Sequence, residues 1–246
     1  MNGYHMKQYN TLQFERDLQE FQIQLTSRQM DQFMTYYELL TEWNSVMNLT
    51  AITEFDEVLK KHFVDSLSLA KVYEGHFTGN VIDVGTGAGF PGIPLKIAFP
   101  SLKVTLLDSL NKRVRFLDAV IESLELRETE AVHGRAEDYA RKKEYREKYD
   151  LCVSRAVANL SSLSEYCLPF VKKGGKFISY KSEKVSEEAK KAEKAIEILG
   201  GKTIGQSEFF LPSSDIYRNL YVIEKIKTTP GKYPRKAGLP AKEPLA

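Results

Sequence analysis

The sequence predicts an α/β fold, a mostly parallel sheet behind a helical N-terminal extension, and three observations predict it. Apolar residues recur at helical spacing from residue 11 to about 72; after Gly79 short runs of branched residues alternate with segments of helical length; and two strand-like segments joined by a turn follow Gly200-Gly201. Strands alternating with helices imply parallel pairing with both faces covered. The 246 residues allow one large or two small domains, and 35 Lys+Arg against 33 Asp+Glu exclude an extended basic protein. Apolar residues at 42% and aromatics at 11% suffice for a packed core.

In chain order, Phe14, Leu18, Phe21 and Leu25 mark a first helix, and Met30, Phe33, Tyr37 and Leu40 a second, capped at Thr26 or Ser27. Thr53 with Asp56 reads as a capping box for a third helix carrying Phe55, Leu59, Phe63 and Leu67. Strands are expected at 81–84, 104–107, 151–153 and 177–180, and a charged helix at 182–199. Segments 202–211 and 218–226, separated by Pro212-Ser213-Ser214-Asp215, suggest an antiparallel edge. The expected organisation is a helical extension over 1–72 packed on the core, a sheet domain over 73–226 and a basic tail over 227–246. That tail holds five Lys or Arg against the single acid Glu243, with four prolines, and reads as extended and attractive to phosphate.

No apolar run approaches the ~20 residues of a bilayer crossing, and the first residues lack signal-peptide character, so a cytoplasmic location and no membrane partner are expected. Cys152 and Cys167 have no metal-ligand spacing and read as partly buried free thiols; no metal is expected.

The strongest chemical signal runs from Val81 to Gly92, where a strand enters Gly85, Gly87, Gly89 and Gly92 and then a helix. Glycines permit the unusual backbone angles of such a turn and the close approach of a ligand. Gly87 to Gly92 formally satisfies the GxGxxG fingerprint of dinucleotide sites. Two features favour a cationic cofactor instead. Asp83 places a carboxylate at the mouth, where it would repel a pyrophosphate, and Pro91 removes an amide donor. The Asp-x-Gly-x-Gly-x-Gly order resembles the first motif of class I S-adenosylmethionine methyltransferases. Asp108 ends the next strand about 20 residues on, the spacing at which an acid reaches ribose hydroxyls. A dinucleotide, or a turn without a ligand, is the competing reading.

Methyl transfer from a sulfonium demands mainly alignment of the reactants, so no nucleophilic triad is needed. The cysteines sit in apolar surroundings, against a thiolate mechanism, and the Asn/Asp-Pro-Pro-aromatic run of exocyclic-amine methyltransferases is absent. A ring nitrogen such as guanine N7 attacks without prior deprotonation. Arg155 could read nucleotide oxygens or close a salt bridge. His62 and Asp65 could face the cleft or bond on the helix surface. Glu137 stands where an adenine edge is read, or where a helix start favours acids. Lys112 and Arg113 open a helix, which disfavours cations and suggests RNA phosphate as their partner. Trp43 reads as core.

Together these residues resemble the bacterial 16S rRNA guanine-N7 methyltransferase G family, also called glucose-inhibited division protein B. The resemblance spans nearly the whole chain: Trp43-Asn44 and Asn48-Leu49-Thr50-Ala51-Ile52, His62 with Asp65-Ser66-Leu67, the loop from Asp83 to Pro94, Asp108-Ser109, Asn111-Lys112-Arg113 and Phe116-Leu117, Arg135-Ala136-Glu137, Arg155-Ala156-Val157, and Tyr233-Pro234-Arg235-Lys236 with Gly238 and Pro240. It implies a Rossmann-like, mostly parallel seven-stranded sheet with an antiparallel edge, S-adenosylmethionine as cofactor, and N7 of one guanine in 16S rRNA of the small ribosomal subunit as acceptor. Cofactor contacts carried over are Gly85, Phe90, Ala136, Glu137 and Arg155; Asp83, Gly87 and Asp108 join them from the loop pattern and spacing. Arg155 is also the candidate for orienting substrate. Lys112, Arg113, Lys232, Arg235 and Lys236 are the candidate RNA contacts, and a monomer is expected. A small-metabolite methyltransferase and a non-catalytic ribosome-assembly factor are the alternatives.

Overall fold

A computed structural model describes residues 9–73, 77–155, 158–183 and 185–245. Helix α1 (Leu12–Gln19) is followed by α2 (Ser27–Met47), which begins where the sequence indicates. The Thr26 side chain accepts from the Gln29 amide and the Gln29 side chain returns to the Thr26 amide. The third helix departs from expectation. Its α-helical part, α3 (Phe55–Val58), has Glu54 at its N-cap with no side-chain cap, so Thr53 lies one residue too early and the Thr53–Asp56 box is not formed. A π-helical turn over Leu59–Val64 then leads into α4 (Asp65–Leu67), and that wider turn re-aims the side chains on either side of it.

Strand β1 (Gly79–Val84), α5 (Gly92–Ala98), β2 (Leu102–Asp108), α6 (Asn111–Ser123), β3 (Thr129–His133), α7 (Ala136–Tyr139), β4 (Tyr149–Ser154), α8 (Leu160–Cys167) and β5 (Val171–Lys181) alternate as the pattern requires. Helix α9 (Ser186–Ile198) precedes the hairpin of β6 (Gly201–Phe210) and β7 (Tyr217–Lys225). Among the described residues the strands form one seven-stranded sheet in the order β3-β2-β1-β4-β5-β7-β6. The pairs among β1 to β5 are parallel, and β7 is antiparallel to both neighbours. The reversed strand is therefore second from the edge. Strand β1 lies between β2 and β4, so the chain changes direction of progress there, and a crevice opens beyond its carboxyl end.

Side chains alternate across the sheet. Val81, Val104, Leu106, Val153 and Ile178 meet the N-terminal helices, α5 and α6 in one apolar cluster; Ile82, Leu107, Cys152 and Phe177 meet α8 and α9 in the other. The N-terminal helices thus share the sheet's own core. No described helix is long and apolar enough to cross a membrane.

The tail is not extended as expected. It folds back along α8, with Thr229 and Tyr233 buried. Its prolines supply no N–H, and its carbonyls are satisfied by arginines of the domain: Arg146 donates to Thr229 O at 2.7 Å and Tyr233 O at 2.9 Å, and Arg141 reaches Pro234 O. A short α10 (Leu239–Lys242) follows.

Candidate active site

The glycine loop emerges from β1 at the crevice. Gly85, Gly87 and Gly89 have φ of 72°, 64° and 100°, the left-handed region that a side chain would strain. At Gly89 an added Cβ would lie 2.8 Å from the Tyr36 hydroxyl and 2.6 Å from Ile93, so close packing also demands glycine there. Tyr36, fully buried on α2, donates to Ala88 O, which makes the N-terminal layer a direct support of the loop.

Asp83 is not at the mouth. It is wholly buried beneath the loop, where its Oδ2 accepts from Thr86 Oγ1 at 2.6 Å and from the Gly92 amide at 2.8 Å. Burial lifts its pKa to about 7 against the opposing pull of those two hydrogen bonds and of Arg155. Its Oδ1 is buried with no hydrogen-bond partner among the described residues.

Asp108 is also buried, and it accepts from the amides of Gly87 and Leu110, both at 2.9 Å, and from Arg113 Nη1 at 3.3 Å. It ties the loop to the end of β2, while Ser109 beside it faces the cavity. Gly87 belongs to this tie, and Arg113 is occupied by it.

Two cavities flank the crevice and share Ala158. The first, about 420 Å³, brings Gly85, Ala136 and Glu137 together with Leu107, Leu163 and Tyr166. Its walls are mainly apolar. The buried Glu137 accepts the Gly238 amide on Oε1 at 2.8 Å, so the C-terminal tail closes this side.

The second, about 590 Å³, is lined by Lys61, His62, Asp65, Arg155, Lys181 and Arg218, among others. The buried Asp65 carboxylate bridges two guanidinium groups, Arg155 Nη1 at 2.9 Å and Arg218 Nε at 2.8 Å. Arg155 therefore does make the salt bridge considered for it, and faces the cavity as well. Its guanidinium stands 4.9 Å from the centre of the Phe90 ring, and His62 stacks on that ring at 4.4 Å. His62 is not a helix-surface residue. Its Nδ1 lies 3.2 Å from Arg155 Nη2, which can only donate, so Nε2 carries the proton and donates to Thr50 Oγ1 at 2.8 Å. Burial and the Arg155 charge push its pKa down to about 3, which keeps the ring neutral.

Thr50 is held by Asn44, whose side chain accepts the Thr50 amide. Neither residue has a role from the sequence, nor has Gly238, although all three stand in the family pattern; Arg218, Lys181 and Tyr36 escaped it altogether. Arg218 lies 153 residues from the Asp65 that it binds, and no local pattern marks it.

Among the RNA candidates, Lys232 and Lys236 are exposed, and Lys112 is exposed with Nζ on Met47 O at 3.1 Å. Arg235 is not available: the fully buried Glu165 accepts its Nε and Nη2 and its own amide. Cys152 and Cys167 are completely rather than partly buried, and burial pushes the Cys152 thiol up, as inert packing requires. Trp43 packs on Phe116 at 5.7 Å. Ala156 and Val157 of the Arg155 motif lie outside the described residues.

Comparison with known proteins matches residues 29–212 to the family model of rRNA small subunit methyltransferase G. A ribosomal RNA small subunit methyltransferase G from Lachnoclostridium phytofermentans is 57% identical, over 94% of this chain and 96% of the relative. One from Desulforamulus reducens is 53% identical, over 96% and 98%. Among solved structures, M. jannaschii TYW2 in complex with AdoMet is similar in fold at 15% identity, with a TM-score of 0.53 over 72% of this chain and 80% of that one.

Proposed function

The chain belongs to the rRNA small subunit methyltransferase G family, and on that footing we propose that it carries a methyl group from S-adenosylmethionine to N7 of a guanine in 16S rRNA. The observation that carries this reading is the pairing of a small, mainly apolar cavity at the glycine loop with a larger one across Ala158 in which Lys61, Arg155, Lys181 and Arg218 stand with Asp65, Glu183 and Glu188. The first cavity falls within the roughly 300–1,000 Å³ of small-molecule sites. Its residues fit the donor: Leu107, Leu163 and Tyr166 offer apolar contact to an adenine, Glu137 and Ser109 offer polar atoms, and the Asp83 carboxylate supplies negative charge below the loop. When bound, the donor supplies an already activated methyl group.

What the chain adds is alignment and charge. Arg155, Arg218, Lys181 and Lys61 suit the second cavity to a nucleotide, with phosphate and carbonyl oxygens as partners. The acceptor proposed needs no base. In agreement with that, His62 is neutral with Nδ1 facing Arg155 and Nε2 facing Thr50, and both Asp65 oxygens are held by arginines. Of the other two acids on the cavity wall, Glu188 accepts from Lys181 Nζ at 2.8 Å and Glu183 is exposed to solvent. Lys112, Lys232 and Lys236 are the RNA contacts proposed beyond the cavity, and the working unit is taken as a cytoplasmic monomer.

Labelled donor incubated with small subunits from a strain lacking this activity tests the reading, with mass spectrometry of the rRNA nucleosides. Label in 7-methylguanosine is expected. Label in another nucleoside would overturn the acceptor, and RNA binding without label would favour an assembly factor.

A further inference from the structure

One wall of the first cavity comes from the C-terminal segment, at Gly238, a residue that stands in the family pattern without a role attached to it. Gly238 lines that cavity and directs its amide to Glu137 Oε1 at 2.8 Å, with a left-handed φ of 82° that lets the chain turn there. The segment is fastened on both sides of this contact. Upstream, Arg235 is clasped by Glu165, its Nε 3.0 and 3.1 Å from the two carboxylate oxygens and its Nη2 2.6 Å from Oε2. Downstream, Pro240 O accepts from Ser162 Oγ at 2.7 Å. Both anchors belong to α8, the helix that also presents Leu163 and Tyr166 to the cavity.

We propose that the tail is a working part of the donor site, and that the Gly238 amide is a positioning group for the Glu137 carboxylate. Left alone, that carboxylate could rotate about its side-chain torsions. With Oε1 held by a backbone N–H, the position of Oε2 is fixed in advance, and a ligand meets an acceptor already ordered. The inference rests on the proposed donor and places Gly238 behind its site, where the sequence had offered the tail only to RNA.

The test is calorimetric titration of S-adenosylmethionine into the full chain and into a variant ending at Ala237, with melting of both proteins measured without ligand. Loss of a hydrogen bond to a charged group is expected to raise the Kd by about tenfold or more. The donor KM should rise with it while kcat at saturating donor stays unchanged, a split that a merely destabilised protein would not give. Ser162→Ala, which removes only the Pro240 anchor, keeps the question open to measurement if the shortened chain fails to fold; a rise of a few-fold is expected. Unchanged donor affinity in a folded variant overturns the positioning role. Absence of donor binding to the full chain would instead overturn the donor assignment itself.

Discussion

The two cavities differ in how they are built. The glycine-loop cavity uses backbone geometry: left-handed glycines, amides tied to the buried Asp83 and Asp108, and apolar walls. The second cavity uses side chains gathered from the π-helical turn, α4, the end of β4, β5 and β7, with Arg155 and Arg218 meeting at Asp65 and Lys181 paired with Glu188. The loop of the first is set by local sequence, although α8 and Gly238 close its walls from far along the chain, whereas the second depends on side-chain pairs made by long-range packing. Damage to the first should remove a ligand, whereas damage to the second should also loosen the fold.

The largest effect should therefore come from Asp65→Ala, which leaves Arg155 and Arg218 without their shared counter-ion. A loss of about 3 kcal/mol in unfolding free energy is expected, measured by urea denaturation together with loss of methyl transfer. Full stability would break the contrast. Gly85→Asp should show the opposite pattern, with donor affinity reduced at least about 100-fold and RNA affinity retained. Equal loss of both in filter binding would mean that the cavities do not act separately.

Asp83 sharpens the contrast through pH. Its folded pKa of about 7 exceeds the unfolded value near 4, so the folded protein holds an extra proton between them and stability falls as pH rises through that window. A cationic donor favours the charged carboxylate, so its affinity should rise over the same range. Asp83→Asn should melt about 2–4 °C above the parent at pH 8 and lose the pH dependence of donor binding. A variant that melts lower there, or binds with the parent's pH profile, would show that Asp83 does not carry the effect. The smallest change belongs to Lys232→Ala with Lys236→Ala, expected to lower RNA affinity a few-fold at low salt and to reduce the salt slope by about 2. An unaltered slope would remove the exposed tail from the RNA surface.

How much was legible follows the same division. The sheet, the hairpin and the loop were visible because period-two runs, helical spacing and glycines are local signals; β6 and β7 each begin one residue before the expected strand. Gly85, Ala136 and Glu137 meet in one cavity because all three follow strand ends that the sheet aligns. The errors arose where a side chain's direction mattered. Asp83 and Asp108 were expected to face a ligand, yet loop amides need acceptors and took them inward. The tail looked extended from its prolines and charges, but Arg141, Arg146 and Glu165, distant in sequence, supply what its backbone and Arg235 require. Arg218 had no signal at all.

The wall contributed by Gly238 sets an order of events for each new molecule. A translating ribosome releases a polypeptide from its first residue to its last, and this cavity draws on positions from Val84 to Gly238 of 246. Until Gly238 has emerged and folded back along α8, the cavity has an open side, so its closure waits on a segment made more than 150 residues after Gly85.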